Sequence, residues 1–150
     1  KYQKGWRLLD VVVSGFFDSV GLYDDSGAQQ VDEAKRWLSL VGLESHEARY
    51  YHELSFGQQR LALLARAMVK RPRILVLDEP CVGLDDYHRI HILRLLDEIA
   101  RVTTVQLIYV SHVAAQRPLC LNRSLSFALN RAGTYEIEPG LISTALVPLP

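Results

Sequence analysis

An α/β fold built on parallel strands is the class that this sequence predicts, and three observations predict it. Two short runs, Arg73–Asp78 and Thr104–Val110, are rich in aliphatic and β-branched residues. Continuous apolar runs of this length are the mark of strands buried on both faces, as parallel strands are. Between them Ile92, Leu95, Leu96 and Ile99 recur at helical spacing, so strand, helix and strand follow one another as a right-handed crossover. Upstream, Val31, Ala34, Leu38 and Val41 show helical spacing, so the first third is expected to be helical.

The balance of residues narrows the class further. Of 150 residues 49% are hydrophobic and 23% charged, enough apolar surface to fold a domain and too much for a disordered chain. Seventeen Lys and Arg against seventeen Asp and Glu give a net charge of zero, which excludes a strongly basic nucleic-acid or polybasic membrane binder. Apolar runs such as Val11–Val13 and Ile74–Leu77 are far shorter than the ~18–20 residues that cross a bilayer. Cys81 and Cys120 are the only cysteines, too few for a disulfide scaffold or a four-ligand zinc site, and this usage points to the cytoplasm.

In chain order, Leu8–Val20 reads as one or two short helices broken at Gly15, and Tyr23–Gln30 as a loop. The next helix stops at Gly42, and Gly42–Leu54 is a polar connection carrying His46 and His52. Ser55 then stands where an N-cap belongs, ahead of the nearly all-apolar Leu61–Val69. Lys70, Arg71 and Pro72 end that helix, with cations at its negative pole and a proline that cannot continue it. After the crossover unit, Ser124–Leu129 and Thr134–Glu138 flank the turn residues Asn130–Gly133 as a hairpin. The chain thus divides into a helical part (1–54), a capped helix (55–72) and an α/β part (73–150).

Two motifs carry chemistry. Ile74-Leu75-Val76-Leu77-Asp78-Glu79-Pro80 places two adjacent acids at the carboxyl end of a parallel strand, where open α/β folds bind ligands. One carboxylate suits a hydrated Mg²⁺ and its neighbour suits activation of a water, although a solvated acidic strand end is the plainer use. Leu54-Ser55-Phe56-Gly57-Gln58 heads the buried helix, where free amides form a phosphate site and Gly57 permits close approach. A simple capped helix is the plainer use here.

The order of these motifs resembles the nucleotide-binding domain of ABC ATPases. Leu54-Ser55-Phe56-Gly57-Gln58 is similar to the signature sequence, the Asp78 strand to Walker B, Gly83-Leu84-Asp85 to the D-loop, and His112 to the switch histidine. The resemblance implies a P-loop NTPase-like fold, ATP and Mg²⁺ as cofactors, and a second ABC domain, tandem or homodimeric, as partner. It implies that Asp78 holds Mg²⁺ through water, Glu79 is the general base, and His112 orients the attacking water. Ser55, Gly57 and Gln58 would bind the γ-phosphate held by the opposite domain, and Asp85 would signal across the interface. Phe56 departs from the family's glycine and must find room.

A second departure is an absence. No G-x-x-x-x-G-K-[ST] occurs: Gly21 and Gly27 come near to it, one residue too far apart, and Ala28 and Gln29 follow where lysine and Ser or Thr are required. The stretch is therefore expected to be the C-terminal portion of a cassette, inactive alone, with Gln3 the candidate for the Q-loop. Val11–Tyr23 resembles the tandem ABC ATPases of molybdenum transport, also described as photorepair proteins, and the metal-chelate importers. That resemblance implies import of molybdate or a similar oxyanion or metal, with a permease partner and a place on the inner face of the membrane. A soluble ABC protein of repair or regulation, or a non-catalytic dimerisation module, are the competing expectations, and a Walker A upstream would reject the last. His88 and His91 read as a solvated helix face, His46 and His52 as idle loop residues, and Cys120 as a small buried hydrophobe.

Overall fold

A computed structural model describes residues 5–17, 27–113, 116–129 and 135–141. Gln3, the 18–23 portion of the stretch that resembles molybdenum-transport ATPases, and the Asn130–Gly133 turn lie outside these described residues. Helices α1 (Leu8–Val13), α2 (Ala28–Leu40) and α3 (Phe56–Met68) pack on one another. Strand β1 (Ile74–Asp78), helix α4 (Asp86–Val102) and strand β2 (Gln106–Val110) follow, and β3 (Arg123–Leu129) and β4 (Tyr135–Leu141) close the order.

The helical part is seated by a polar joint. Ser14, in a 3-10 turn that continues α1, is fully buried. Its hydroxyl donates to the Val11 carbonyl (2.6 Å) and accepts from Arg66 Nε (2.8 Å), so a buried polar group is satisfied on both sides. Next to it, a Cβ on Gly15 would lie 2.1 Å from the Arg66 carbonyl oxygen. Only glycine lets the two backbones approach this closely.

Helix α2 begins at Ala28, within the segment expected to be loop, because Gln30 Oε1 accepts from the Gly27 amide (3.2 Å) and closes the first turn. It ends at Gly42 in the left-handed region (φ +73°), which glycine adopts without steric penalty. The connection that follows contains two 3-10 turns, Glu44–His46 and Tyr51–Glu53, pinned by buried Leu43 and Leu54. One cluster of buried residues then runs from Leu8 and Leu38 through Leu61, Ala65 and Met68 to Leu75, Leu96 and Ile99.

Strands β1 and β2 pair in parallel, with Leu77 opposite Tyr109 and Asp78 opposite Val110. The expectation that both faces are buried is corrected. Leu75, Leu77, Leu107 and Tyr109 face the core. Ile74, Val76, Ile108 and Val110 alternate with them and are roughly half exposed, Val76 by 61%. The period of two puts alternate residues on opposite faces, and within this chain the helical core covers one face. Strands β3 and β4 pair antiparallel as the expected hairpin, with Phe127 opposite Ile137 and both exposed.

Candidate functional site

Parallel pairing brings the carboxyl ends of β1 and β2 side by side, and the chemistry gathers there. Asp78 is the last residue of β1 and is exposed. Glu79 follows with its amide still bonded to the Val110 carbonyl (3.0 Å) and its backbone in the left-handed region (φ +47°). That conformation is uncommon for a residue with a side chain. Two residues beyond β2, the His112 amide donates to Glu79 Oε1 (3.0 Å), and the His112 ring nitrogen Nδ1 lies 2.6 Å from the same oxygen. These bonds from His112 hold the Glu79 carboxyl below its ordinary value. A carboxylate kept ionised and held in place by an exposed imidazole can accept a proton from a water bound beside it. Tyr109 braces the same strand end from the core side, its hydroxyl donating to the Gln116 carbonyl (2.8 Å), and burial pushes its phenol pKa up.

The second group sits at the head of α3. Ser55 Oγ accepts from the Gln58 amide (3.2 Å), and Gln58 Oε1 accepts from the Ser55 amide (3.0 Å), a complete capping box. The Phe56 and Gly57 amides have no carbonyl four residues back within the helix and point out of its positive end, where an anion is stabilised. The Gln58 side chain is turned toward its own chain, with Nε2 3.3 Å from His46 Nε2. Because Gln58 Oε1 already accepts, Nε2 is the donor and the His46 ring the acceptor. His46 is therefore a buttress of the helix head rather than an idle loop residue; nothing in its spacing from Gln58 announces it in the sequence.

Phe56 finds its room on the neighbouring turn. A Cβ on Gly83 (φ +77°) would lie 3.3 Å from Phe56 Cε1, and the Arg60 guanidinium sits 5.0 Å from the Phe56 ring centre. Asp85 caps α4: its Oδ1 accepts from the His88 amide (2.9 Å) and its Oδ2 lies 2.7 Å from His88 Nδ1. These bonds keep the Asp85 carboxyl below its usual range. His88 is thus three-quarters covered rather than a solvated face (25% side-chain exposure). The signal for it was present, since Asp-x-x-His at a helix start is the spacing at which an N-cap meets the third helical residue. Cys120, expected to be buried, is exposed.

Among the described residues no group of three His, Cys, Asp or Glu forms a metal cage. Mg²⁺ needs none: it retains water and takes one or two carboxylates together with phosphate oxygens. The lone exposed Asp78 carboxylate fits that mode. No helix among the described residues is long and apolar enough to cross a membrane.

Comparison with known proteins bears on the family and the fold. A family model described as ABC transporter matches residues 6–82, from before α1 through Asp78 and Glu79. The ABC transporter ATP-binding protein ModF of Escherichia coli is 40% identical over 127 residues, 84% of this chain and 26% of ModF. A structure described as an inward-facing metal-chelate type ABC transporter superposes with a TM-score of 0.75 at 19% identity, over 97% of this chain and 70% of that one. The dimeric bacterial ABC transporter cassette MJ0796 does so with a TM-score of 0.61 at 25% identity, over 76% and 49%. The chain spans about a quarter of the length of ModF.

Proposed function

The chain belongs to the ABC transporter family, and from that membership we propose that it is the signature and Walker B portion of a cassette that hydrolyses ATP at a head-to-tail interface. The contact between Glu79 and His112 at the ends of two adjacent parallel strands carries this reading. Water held against the Glu79 carboxylate attacks the γ-phosphorus, the bond to the bridging oxygen breaks, and ADP and phosphate leave. Glu79 accepts the proton that the water gives up, and His112 orients the water. Mg²⁺, held through water by Asp78, would supply charge neutralisation at the phosphate oxygens when bound. Ser55 and Gly57 would offer the hydroxyl and amide of the α3 head to the γ-phosphate of the partner domain. Gln58 would keep that head in shape through the capping box, and Asp85 would meet the partner.

The partner is a second ABC domain, and the dimeric cassette among the structural neighbours supports that arrangement. The cargo is an oxyanion such as molybdate, or a metal, imported through a permease on whose cytoplasmic side this domain sits; the Val11–Tyr23 stretch supports this. The motifs divide the chain at Leu54 and Pro72. The 150-residue stretch alone, which contains no G-x-x-x-x-G-K-[ST], is expected neither to hydrolyse ATP nor to bind it tightly.

The test is Glu79→Gln in the full-length protein. The amide preserves shape but takes no proton, so hydrolysis should fall by ~10²–10⁴ while ATP binding persists. His112→Ala should lower hydrolysis with little change in melting temperature, because that side chain is exposed. Wild-type turnover in Glu79→Gln would remove the assignment.

A further inference from the structure

Two rings lie over two glycines where the helix head meets the Asp85 turn. Phe56 of the α3 head lies beside the exposed Gly83, and His88 of α4 covers the buried Gly57. The second contact is much the tighter. A Cβ built on Gly57 would lie 2.3, 2.5 and 2.9 Å from His88 Cδ2, Cγ and Nε2, closer than carbon atoms tolerate. Gly57 lies within α3 and has none of the positive φ seen at Gly5, Gly42 and Gly83. Its backbone conformation is therefore one that any residue adopts. What excludes a side chain at Gly57 is the His88 ring, and what fixes that ring is Asp85, which binds both its Nδ1 and its amide.

We propose that His88 is a positioning residue that joins the Asp85 turn to the helix head at Gly57, so that the two surfaces offered to the partner domain move as one body. Asp85 sets the ring, the ring seats on Gly57, and Phe56 on Gly83 closes the joint from the other side. The proposal rests on the functional reading above, which assigns Gly57 to the partner's phosphate and Asp85 to the interface. It differs from that reading in one respect. A glycine demanded by an approaching phosphate would be needed whatever occupies position 88, whereas a glycine demanded by His88 is needed only while the ring is there.

A double-mutant cycle in the full-length protein separates the two. Gly57→Ala should lower the melting temperature by roughly 2–12 °C, the range expected of overpacking in a domain of this size. Adding His88→Ala should restore most of that loss, because the methyl then occupies vacated space. His88→Ala alone should lower turnover by about 10- to 100-fold, the scale of a ~1 Å misplacement, with nucleotide KM unchanged. His88→Asn keeps a donor for Asp85 and should recover turnover. If Gly57→Ala fails to fold and Gly57→Ala/His88→Ala folds, the proposal stands. Melting shifts that add independently, or a double variant no better than Gly57→Ala, overturn it. So does an unperturbed melting temperature in Gly57→Ala. The melting readout needs no turnover, so a failure of the ATPase assignment at Glu79 leaves this test intact and separately readable.

Discussion

The head of α3 and the ends of β1 and β2 engage their polar groups to different degrees, although each holds one carboxylate–histidine pair. At the helix head nearly every polar side chain is engaged by its own chain: Ser55 with Gln58, Gln58 with His46, Asp85 with His88. Behind it lies a continuous core with Leu61 and Ala62 nearly inaccessible. At the strand ends Asp78 stands exposed, and the sheet face bearing Val76 and Ile108 is uncovered. The helix head is a finished structure awaiting a ligand. The strand end differs: among the described residues one face of its sheet is exposed and its last carboxylate, Asp78, faces solvent.

The largest effect that can break this comparison is in packing. Leu96 is fully buried between the helical core and the sheet. Leu96→Ala should cost about 2–5 kcal/mol, as transfer and cavity contributions add, wherever the chain is studied. Val76→Ala should change the stability of the 150-residue chain by less than about 0.5 kcal/mol, since an exposed methyl pair loses little on removal. In the full-length protein the same substitution should cost about 1–2 kcal/mol if a further layer seats on this face. Denaturant titration of both variants in both lengths measures it. A large loss for Val76→Ala in the short chain would mean that the face is covered within these residues, and the contrast between the two regions would collapse.

A smaller effect sharpens the other side. Removing the Ser55 hydroxyl leaves the Gln58 amide without its acceptor and breaks the capping box from one end. Ser55→Ala should cost about 1 kcal/mol, the usual worth of such a cap, and Ser55→Gly less. Amide hydrogen exchange should show the loss confined to the first turn of α3, with the β1 and β2 amides unmoved. Equal loss of protection in both places would show that the helix head and the strand end are not separate units.

How much of this was legible in the sequence follows the same division. Patterns set by local physics were readable: the helical spacing of α4, the Ser55 cap, the acids after an apolar strand, the glycine stop at Gly42. The start of α2 was misplaced because the Gln30 side chain, three residues on, completes the turn at Gly27. Strand burial differs from the expectation because an apolar run does not say which faces are covered, and here alternate residues face the helical core and solvent. The roles of His46 and His88 depend on contacts 12 residues away in one case and 31 in the other (His46 to Gln58, Gly57 to His88). Only the fold brings them to the site.

The smallest expected effect compares the two regions through pH. Glu79 and Asp85 both titrate below their ordinary values of 4.5 and 3.8, Glu79 through the bonds from His112 and Asp85 through the amide and ring of His88. A carboxyl whose value is lowered by folding contributes stability in full above its ordinary value, and that contribution disappears as pH falls through the lowered one. The melting temperature should therefore begin to fall below about pH 4.5, with the Glu79 share lost from a higher starting pH than the Asp85 share. Asp85 is well exposed and Glu79 about a third exposed, so each share is small and shrinks with added salt. Glu79→Gln should flatten the upper part of the profile and Asp85→Asn the lower part. If the two variants instead followed the wild-type curve in parallel, the carboxylate–histidine pairs would contribute nothing to either region. The rigidity of the helix head would then rest on packing and the capping box alone.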